Sequence, residues 1–205
     1  MFPYTNLDML SSMTAVATAV DVPVTLIPNF LNQRTANEAF DVLLAEIPWE
    51  RRTTETFGKT ILIPRMEVWV ADYPYTYSGR TYQPKSWTPT LVKLKAEVEA
   101  ALRTRFNSVL LNLYESGSDS VGWHSDDELE MSQDHPIASL SLGAIRSFQV
   151  RKGHDLVQTI ELGHGSLLVM NAGMQKEWKH QVPKAIKPCG TRINLTFRWM
   201  NFSAD

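Results

Sequence analysis

Two histidines and one aspartate have residue types and spacing that suit a metal site. His124 and Asp126 are two residues apart, and His180 follows later in the chain. Residues i and i+2 of an extended segment point to the same face, so His124 and Asp126 can bind one ion together. A second histidine from another strand completes a two-histidine, one-carboxylate triad with three open positions, which is typical of non-haem Fe(II). The number of His-x-Asp pairs expected by chance in a chain of this composition is about one quarter. The pair by itself therefore also fits a polar loop.

The end of the chain alternates polar and apolar residues without interruption from Arg192 to Trp199. A strand with this pattern has one apolar face for the core and one polar face. The polar face carries two guanidiniums, an amide and a hydroxyl, from Arg192, Asn194, Thr196 and Arg198. The arginines lie roughly 20 Å apart along such a strand, which suits a dicarboxylate better than one ion. The Arg-x-Asn-x-x-x-Arg pattern has a chance frequency of only about 0.03, and the alternative is an ordinary solvated face.

A third feature, Asn112-Leu113-Tyr114, stands at the end of the segment that precedes the metal motif. Strand alternation puts Asn112 and Tyr114 on one face and Leu113 on the other. An amide and a phenol beside two guanidiniums would complete a carboxylate site. The alternative is a tyrosine whose hydroxyl caps a buried strand end.

Composition limits the class of protein that positions these residues. Of 205 residues, 43% are hydrophobic and 20% are charged, so the chain folds as one globular domain. Twenty basic and 22 acidic residues give a net charge of −2, so a polyanion must be bound by a local basic patch. The single cysteine, Cys189, favours a reducing compartment. The first residues lack the positive flank of a signal peptide, and no stretch approaches the ~20 apolar residues of a membrane span.

Periodicity indicates the elements that carry the motifs. Helical spacing runs from Thr35, in a capping box with Glu38, to Ile47. A second helix begins at the N-cap Thr88. After Phe106 the period changes to two, and strands are predicted at Val109–Tyr114, Ile137–Leu142, Ser147–Arg151, Thr159–Leu162, Ser166–Met170 and Thr191–Trp199. Two helices followed by an antiparallel β-block, with no room for a helix between strands, predict an α+β jelly roll whose helices cover one sheet.

The order of these motifs resembles the AlkB family of iron and 2-oxoglutarate dioxygenases. Asn-x-Tyr, His-x-Asp, a distant His and Arg-x-Asn-x-x-x-Arg follow one another, and the similarity runs from about Ile27 to Trp199. The resemblance implies a double-stranded β-helix with an N-terminal nucleotide-recognition region. We expect an N-terminal arm at residues 1–22 and one dioxygenase domain at 23–205, with helices and recognition segments at 23–106 and the catalytic jelly roll at 107–205.

The resemblance also implies cofactors. Fe(II) would be held by His124, Asp126 and His180, and 2-oxoglutarate and O₂ would be cosubstrates. The expected 2-oxoglutarate residues are Asn112, Tyr114, Arg192, Asn194, Thr196 and Arg198. Within this set, Arg192 with Tyr114 and Asn112 would clamp the distal carboxylate, and Arg198 with Asn194 would lie near the chelating end. A guanidinium suits this task because its planar fork meets a carboxylate bidentately and stays charged.

Two segments are matched by similarity to the parts of the family that handle the base. Phe57, beside a glycine, resembles the aromatic finger that fills the gap left in a duplex by an extruded base. A hydrophobic hairpin tip that packs on its own domain is the alternative. Tyr75, Tyr77 and Ser78 match the segment that stacks on the flipped base, with His124 as the opposite wall.

Further residues are expected around the base and the nucleic-acid backbone. Glu128 matches a carboxylate that reads an exocyclic amino group, and Asp127 beside it adds preference for a cationic base; both also fit a solvated loop. Trp178 would form a wall of the iron pocket, unless it is a core tryptophan. Arg65 is expected among the substrate-binding residues, near the phosphates. The other expected phosphate contacts are Arg151, Lys152, Lys184 and Lys187.

The resemblance therefore implies a dioxygenase that demethylates 1-methyladenine and 3-methylcytosine in DNA, with duplex DNA as partner, and that releases formaldehyde, succinate and CO₂. We expect an intracellular monomer, cytoplasmic or nuclear, with no membrane partner. An RNA or single-strand demethylase, a protein or small-molecule hydroxylase on the same fold, and a non-catalytic reader of damaged bases stay open. Zinc hydrolysis is possible from the ligands alone, but it leaves Arg192 and Arg198 without a task.

Overall fold

The structure, a computed structural model, describes residues 22–56, 59–77 and 80–201, with the backbone alone at 54–56, 75–77 and 80–82. Its helices are α1 (Gln33–Glu46) and α2 (Pro89–Leu102), and a short 3₁₀ helix covers Met174–Lys176. Its strands are β1 (Val24–Ile27), β2 (Glu50–Thr56), β3 (Lys59–Ala71), β4 (Tyr75–Tyr77), β5 (Arg80–Tyr82), β6 (Ser108–Tyr114), β7 (Val121–His124), β8 (Ile137–Gly143), β9 (Arg146–Lys152), β10 (Asp155–Leu162), β11 (Ser166–Met170), β12 (Trp178–Val182) and β13 (Arg192–Arg198).

The strands form a large sheet, a small sheet and a separate ribbon. The large sheet has the order β1-β11-β8-β13-β6-β3-β2, and the small sheet has the order β10-β9-β12-β7. Neighbouring strands within both sheets pair antiparallel. The ribbon consists of β4 and β5. Antiparallel sheets with two helices confirm the predicted α+β jelly roll.

Strand alternation in the large sheet separates two hydrophobic cores. The outer core joins the helices to one face of the sheet and includes Leu43, Leu91, Leu111, Leu195 and Phe197. The inner core contains residues of both sheets, among them Trp69, Tyr114, Phe148, Leu168 and Trp178. Each fully buried side chain of this kind stabilises the fold by roughly 1.5–3 kcal/mol. The even-numbered positions of β6 and β13 thereby face the space between the sheets.

Helix α1 begins two residues earlier than predicted. Its N-cap is Asn32, whose Oδ1 accepts a hydrogen bond from the Thr35 N–H at 2.9 Å. Glu38 does not close a capping box with Thr35; it accepts a hydrogen bond from Arg34 Nε at 2.8 Å. The predicted capping box is wrong because Asn32 already satisfies the donor in the first turn. The N-cap Thr88 of α2 is confirmed, with its hydroxyl oxygen accepting from a first-turn amide at 3.3 Å.

Strands also form before Phe106, where the sequence pattern predicts none. β2 and β3 pair with each other, and β3 continues into the large sheet beside β6. β2 is polar throughout, and β3 has consecutive apolar residues and Pro64, so neither shows the period of two that marks a half-buried strand. β1, β7 and β12 are short and were not predicted either. All six predicted strands are confirmed, with ends that shift by at most four residues.

Gly143 lies at the end of β8 with a φ of +89°, in the left-handed region. A Cβ at this position would lie 2.3 Å from the Thr191 carbonyl oxygen and 2.7 Å from a ring carbon of Phe40. We expect Gly143→Ala to lower the free energy of unfolding by about 2–4 kcal/mol in urea titration. Gly190→Ala is the control, since a Cβ at Gly190 meets no atom of the described residues within 4 Å. Equal stability of the two variants would contradict the strain at Gly143.

Candidate active site

The three predicted metal ligands meet between the sheets. His124 ends β7, and His180 lies directly opposite it in the antiparallel pairing with β12. Asp126 follows β7 after one residue and is buried. One ligand atom from each side chain lies within 4.8 Å of the other two. The convergence expected from the His-x-Asp spacing is therefore present in the fold.

Hydrogen bonding orients His124 for metal binding. Its Nδ1 lies 2.8 Å from the Gly122 carbonyl oxygen. A carbonyl oxygen only accepts hydrogen bonds, so Nδ1 carries the proton and Nε2 keeps its lone pair. That Nε2 lies 3.8 Å from Asp126 Oδ1. His180 stacks on Phe148 with the ring centroids 5.2 Å apart, and its buried Nδ1 has no hydrogen-bond partner among the described residues. A metal ion suits this arrangement of unprotonated nitrogens and a carboxylate.

Asp126 is held from two directions. Arg198 Nη2 donates to its Oδ2 at 2.8 Å, and its own N–H donates to Gln175 Oε1 at 3.0 Å. Burial alone would raise the pKa of Asp126. The Arg198 guanidinium and the neighbouring imidazoles together lower this pKa by more than burial raises it. The net pKa lies well below its ordinary value, so the carboxylate is charged at any physiological pH and available as a ligand.

Burial also keeps both imidazoles neutral. It lowers the pKa of His180 to about 3, with a further lowering from His124. It lowers the pKa of His124 as well, although the Asp126 carboxylate opposes this effect. Metal binding requires deprotonated ligands, and in this site the ligands are already deprotonated near neutral pH.

A measurable consequence is low proton release when the metal binds. At pH 6.5 two solvent-exposed histidines would together release roughly one proton. We expect the protein to release far less, because lowered pKa values leave His124 and His180 neutral before the ion arrives. Calorimetric titration with Mn(II) in two buffers of different ionisation enthalpy measures the number. Release of one proton or more would contradict neutral imidazoles in the metal-free protein.

The polar face of β13 points into the same space. One pocket between the sheets is lined by all nine residues expected to bind the metal or 2-oxoglutarate, and by Arg65. Arg192 is fully buried and donates from Nη2 to Ser141 Oγ at 2.9 Å. Its Nε and Nη1 find no hydrogen-bond partner in the described part of the chain. Burial lowers the pKa of Arg192, so a carboxylate placed there would satisfy a costly cation.

The two arginines of β13 occupy different ends of the pocket. Arg198 contacts the metal ligand Asp126, whereas Arg192 lies 5.1 Å from the ring centroid of Tyr114. The same ring has Arg146 at 5.3 Å. A dicarboxylate between the arginines would have one end near the metal triad and one end at Arg192 and Tyr114. The pocket thus has the donors that a keto diacid needs.

Amides and hydroxyls fill the floor between the arginines. Asn194 donates from Nδ2 to Ser139 Oγ at 2.8 Å and to a backbone carbonyl at 3.1 Å. Thr196 donates to Asn194 Oδ1 at 3.3 Å. Asn112 Oδ1 accepts a hydrogen bond from Arg65 Nε at 2.7 Å. These bonds fix the side chains that line the pocket before any ligand binds.

Several substrate-side expectations need correction or fall outside the described residues. Arg65, expected near phosphates, lies in the pocket with a side chain that is 14% exposed. Trp178 belongs to the inner core and is not part of the pocket lining. Phe57 and Ser78 lie outside the described residues, as does the arm up to residue 21, and only the backbone of Tyr75 and Tyr77 is described, in β4.

The expected acids and cations lie outside the pocket. Asp127 is exposed and Glu128 is half-buried. Arg151 packs its guanidinium 4.6 Å from the ring centroid of Trp123, and Lys152 pairs with Glu177 at 2.5 Å. The last two cations, Lys184 and Lys187, are exposed in the segment after β12.

Three residues of the site escaped the sequence analysis. Gln175, on the 3₁₀ helix, is 5% exposed and orients Asp126. Arg146 is buried and donates to the carbonyl oxygens of three residues in two loops: Ser116, Asp119 and Pro183. Glu67 is 2% exposed and lines the pocket. Only Glu67 left a short signal, since polar and apolar residues alternate from Arg65 to Val68 within a strand that otherwise lacks a period of two.

The chain is similar over most of its length to known proteins of one family. Residues 23–198 match the 2OG-Fe(II) oxygenase superfamily. The human DNA oxidative demethylase ALKBH2 is 37% identical over 177 residues, which cover 80% of this chain and 68% of the relative. The chain belongs to the AlkB family. Fe(II), 2-oxoglutarate and O₂ are the cofactor and cosubstrates of the oxygenase superfamily to which the AlkB family belongs, and the triad of His124, Asp126 and His180 fits them together with Arg192.

Two further AlkB-family proteins are similar to the chain, one in sequence and one in fold. The alpha-ketoglutarate-dependent dioxygenase alkB homolog 3 of Bos taurus is 40% identical over 186 residues, which cover 85% of this chain and 65% of the relative. The chain thus spans 65% of the length of that relative. The solved structure of OsALKBH1 is 19% identical, has a TM-score of 0.63, and covers 88% of this chain and 100% of its own, which shows the shared fold. Neither described helix has the length and apolar character needed to cross a membrane.

Proposed function

We propose that this AlkB-family chain is an Fe(II)- and 2-oxoglutarate-dependent dioxygenase that demethylates N-alkylated bases in DNA. The observation that carries the proposal is one pocket that joins the His124, Asp126 and His180 triad to Arg192, a buried cation with two donor nitrogens that no described residue satisfies. A zinc hydrolase would use the triad and leave Arg192 without a task. The names of relatives 37–40% identical to the chain, a DNA oxidative demethylase and a dioxygenase, support the same conclusion.

Residues on both sheets divide the work of binding the cofactors. The iron, with 2-oxoglutarate and O₂, supplies the oxidation of an N-methyl group, which yields formaldehyde, succinate and CO₂. Arg192 with Tyr114 and Asn112 binds the distal carboxylate, and Arg198 with Asn194 and Thr196 lies at the chelating end. Arg198 also holds Asp126 charged and in place, and Phe148 packs on His180 and excludes water from it.

The methylated base is bound between two rings. His124 forms one wall, and Tyr77 of the β4–β5 ribbon forms the other, with Tyr75 and Ser78 in the same segment. Glu128 accepts from the exocyclic amino group, and Asp127 adds negative charge near a base that N1 or N3 methylation makes cationic. We assign 1-methyladenine and 3-methylcytosine as substrates because both combine this charge with an amino group.

Duplex DNA is the proposed partner. Phe57 fills the gap left by the extruded base, which offsets the few kcal/mol that unstacking costs. Arg151, Lys152, Lys184 and Lys187 contact phosphates as a local basic patch on a chain of net charge −2. We further propose a monomer in the cytoplasm or nucleus, with an arm at residues 1–22 and one catalytic domain at 23–205.

The test is anaerobic loading with Fe(II) and 2-oxoglutarate, followed by air and a duplex that contains 3-methylcytosine. We expect formaldehyde and succinate in equal amounts, both dependent on the lesion. Succinate formation that is the same with methylated and unmethylated duplex would overturn the demethylase proposal. The same lesion in single-stranded DNA and in RNA compares the three nucleic-acid partners directly.

Phe57→Ala separates duplex from single-strand activity. If Phe57 occupies the base stack, its removal lowers kcat/KM on the methylated duplex by about tenfold or more, since stacking on an aromatic ring contributes ~1–3 kcal/mol per base. The rate on the single-stranded lesion changes little, because no gap needs filling there. Steady-state formaldehyde release on both substrates measures the effect. A parallel fall on both substrates favours a single-strand or RNA demethylase.

A further inference from the structure

An ion pair with no assigned contact to the metal or to 2-oxoglutarate lies in the pocket. Arg65 Nη2 and Glu67 Oε2 are 3.2 Å apart, and the Glu67 side chain is 2% exposed. Arg65 also donates from Nε to Asn112 Oδ1 at 2.7 Å. Both residues of the pair line the pocket that contains the metal triad. A charged group inside a binding pocket acts on the charge of whatever binds there, because the low dielectric screens it weakly.

The position of the pair in the sheet places it on the base side of the pocket. Glu67 on β3 pairs with Asn112 on β6, which pairs with Asn194 on β13. Two strand spacings, about 10 Å, therefore separate Glu67 from the strand that carries Arg192 and Arg198. His124, the proposed wall of the base site, lines the same pocket as Arg65 and Glu67. A base bound against His124 therefore shares the pocket with this pair, which lies two strands away from the arginines of β13.

Charge balance gives Glu67 its importance. When Fe(II) and 2-oxoglutarate are bound their charges cancel, and among the other residues that line the pocket Arg192 and Arg198 outweigh Asp126 by one positive charge. Arg65 alone would add a second positive charge at the base side. The Glu67 carboxylate cancels it at contact distance. A cationic base therefore meets much weaker repulsion than it would with Arg65 uncompensated.

We propose that Glu67 is a specificity-determining residue whose carboxylate cancels the Arg65 guanidinium and makes the pocket select cationic methylated bases over neutral ones. This inference rests on the proposed demethylase function and deepens it. Arg65 keeps its place through Asn112 and Glu67, so the pair has a fixed position and acts without rearrangement. The prediction concerns discrimination between substrates, which a purely structural ion pair would leave unchanged.

The experiment compares two bases methylated at the same ring nitrogen: 3-methylcytosine, a cation, and 3-methylthymine, which is neutral. The measured quantity is the ratio of kcat/KM for the two bases in one oligonucleotide sequence. We expect Glu67→Gln, which keeps size and removes charge, to lower the ratio of cation to neutral base by about 30-fold. A second readout is the ratio of Kd values for the same oligonucleotides with protein loaded with Mn(II) and N-oxalylglycine, which needs no turnover.

Two variants test the charge explanation against a loss of fold. The double variant Glu67→Gln with Arg65→Met restores the balance and brings the ratio back to within about threefold of the wild type. Arg65→Met alone raises the ratio, the opposite direction, so a poorly folded Glu67→Gln does not remove the test. Glu50→Gln is the matched control, since Glu50 lies opposite Glu67 on β2, is 41% exposed and is not in the pocket lining; its ratio equals that of the wild type.

The outcomes separate this inference from the proposed function. Wild-type protein that demethylates neither base overturns the demethylase proposal and this inference with it. Active wild-type protein whose Glu67→Gln variant loses the same factor on both bases overturns only the role of Glu67. A ratio that Arg65→Met leaves unchanged has the same meaning.

Discussion

Asp126→Ala abolishes metal binding and turnover together. The carboxylate is one of three metal ligands. Loss of a residue that only hydrogen-bonds to a metal ligand already lowers metal affinity 10–100-fold. We therefore expect Mn(II) affinity to fall by at least ~100-fold, with lesion-dependent formaldehyde undetectable. Calorimetric titration measures the affinity, and the formaldehyde assay measures turnover. Asp134→Ala is the control, because Asp134 is exposed and lies on the loop after the metal motif.

Loss of Asp126 also affects the fold, and this effect must be separated from metal loss. Arg198 is 5% exposed and would keep a buried charge without its carboxylate partner. Breaking a buried pair in this way costs about 3–5 kcal/mol. His180→Ala removes a ligand and leaves the Arg198–Asp126 pair intact, so it loses metal with a smaller loss of stability. Wild-type Mn(II) affinity in either variant would refute the triad as the metal site.

Arg192→Met removes 2-oxoglutarate binding. A desolvated, charge-assisted pair of hydrogen bonds contributes about 2–5 kcal/mol, so we expect the 2-oxoglutarate Kd to rise by roughly 100-fold. Arg192→Lys keeps the charge but lacks the fork, and its Kd lies between those of the wild type and Arg192→Met. Calorimetric titration of Mn(II)-loaded protein measures all three. Arg34→Met is the control, since the Arg34 side chain is 88% exposed.

Arg192→Met weakens 2-oxoglutarate binding, but it should not weaken the fold of the ligand-free protein. Arg192 is fully buried with Nε and Nη1 unsatisfied by any described residue. Replacing a poorly satisfied buried charge with an apolar side chain is often neutral or stabilising by 1–4 kcal/mol. We expect the ligand-free Arg192→Met protein to melt at or above the wild-type temperature. Marked destabilisation, or unchanged 2-oxoglutarate affinity, would show that Arg192 serves the fold instead.

Local patterns predicted the metal triad and the arginine strand because their geometry follows from short spacing. His124 and Asp126 share a face of an extended segment, and β13 alternates without interruption, so burial of one face turns Arg192 into the pocket. His180 was included as a second histidine from another strand, but nothing near it in the sequence specifies that β12 pairs with β7. Pairing between distant strands depends on the whole sheet.

Residues whose roles come from tertiary contacts could not be predicted. Gln175 acts through the Asp126 amide, 49 residues away, and no local pattern encodes that meeting. Arg65 was expected near the phosphates by resemblance, but Glu67 compensates its charge and Asn112 accepts its hydrogen bond, and both hold it in the pocket. β2 escaped prediction because an edge strand of polar residues lacks a hydrophobic period, and β3, which pairs with β2 and β6, escaped it because consecutive apolar residues and Pro64 interrupt the period.

The halves of the site belong to different sheets. His124 and His180 lie on β7 and β12, at the margin of the small sheet, whereas Arg192 and Arg198 lie on β13 at the centre of the large one. A metal and a diacid bound together therefore connect the small sheet to the large sheet. Any opening of the sheets must break ligand bonds on both sides, so the loaded protein resists local opening more than the empty one. Slower amide hydrogen exchange in β7, an edge strand, is where this tightening becomes visible.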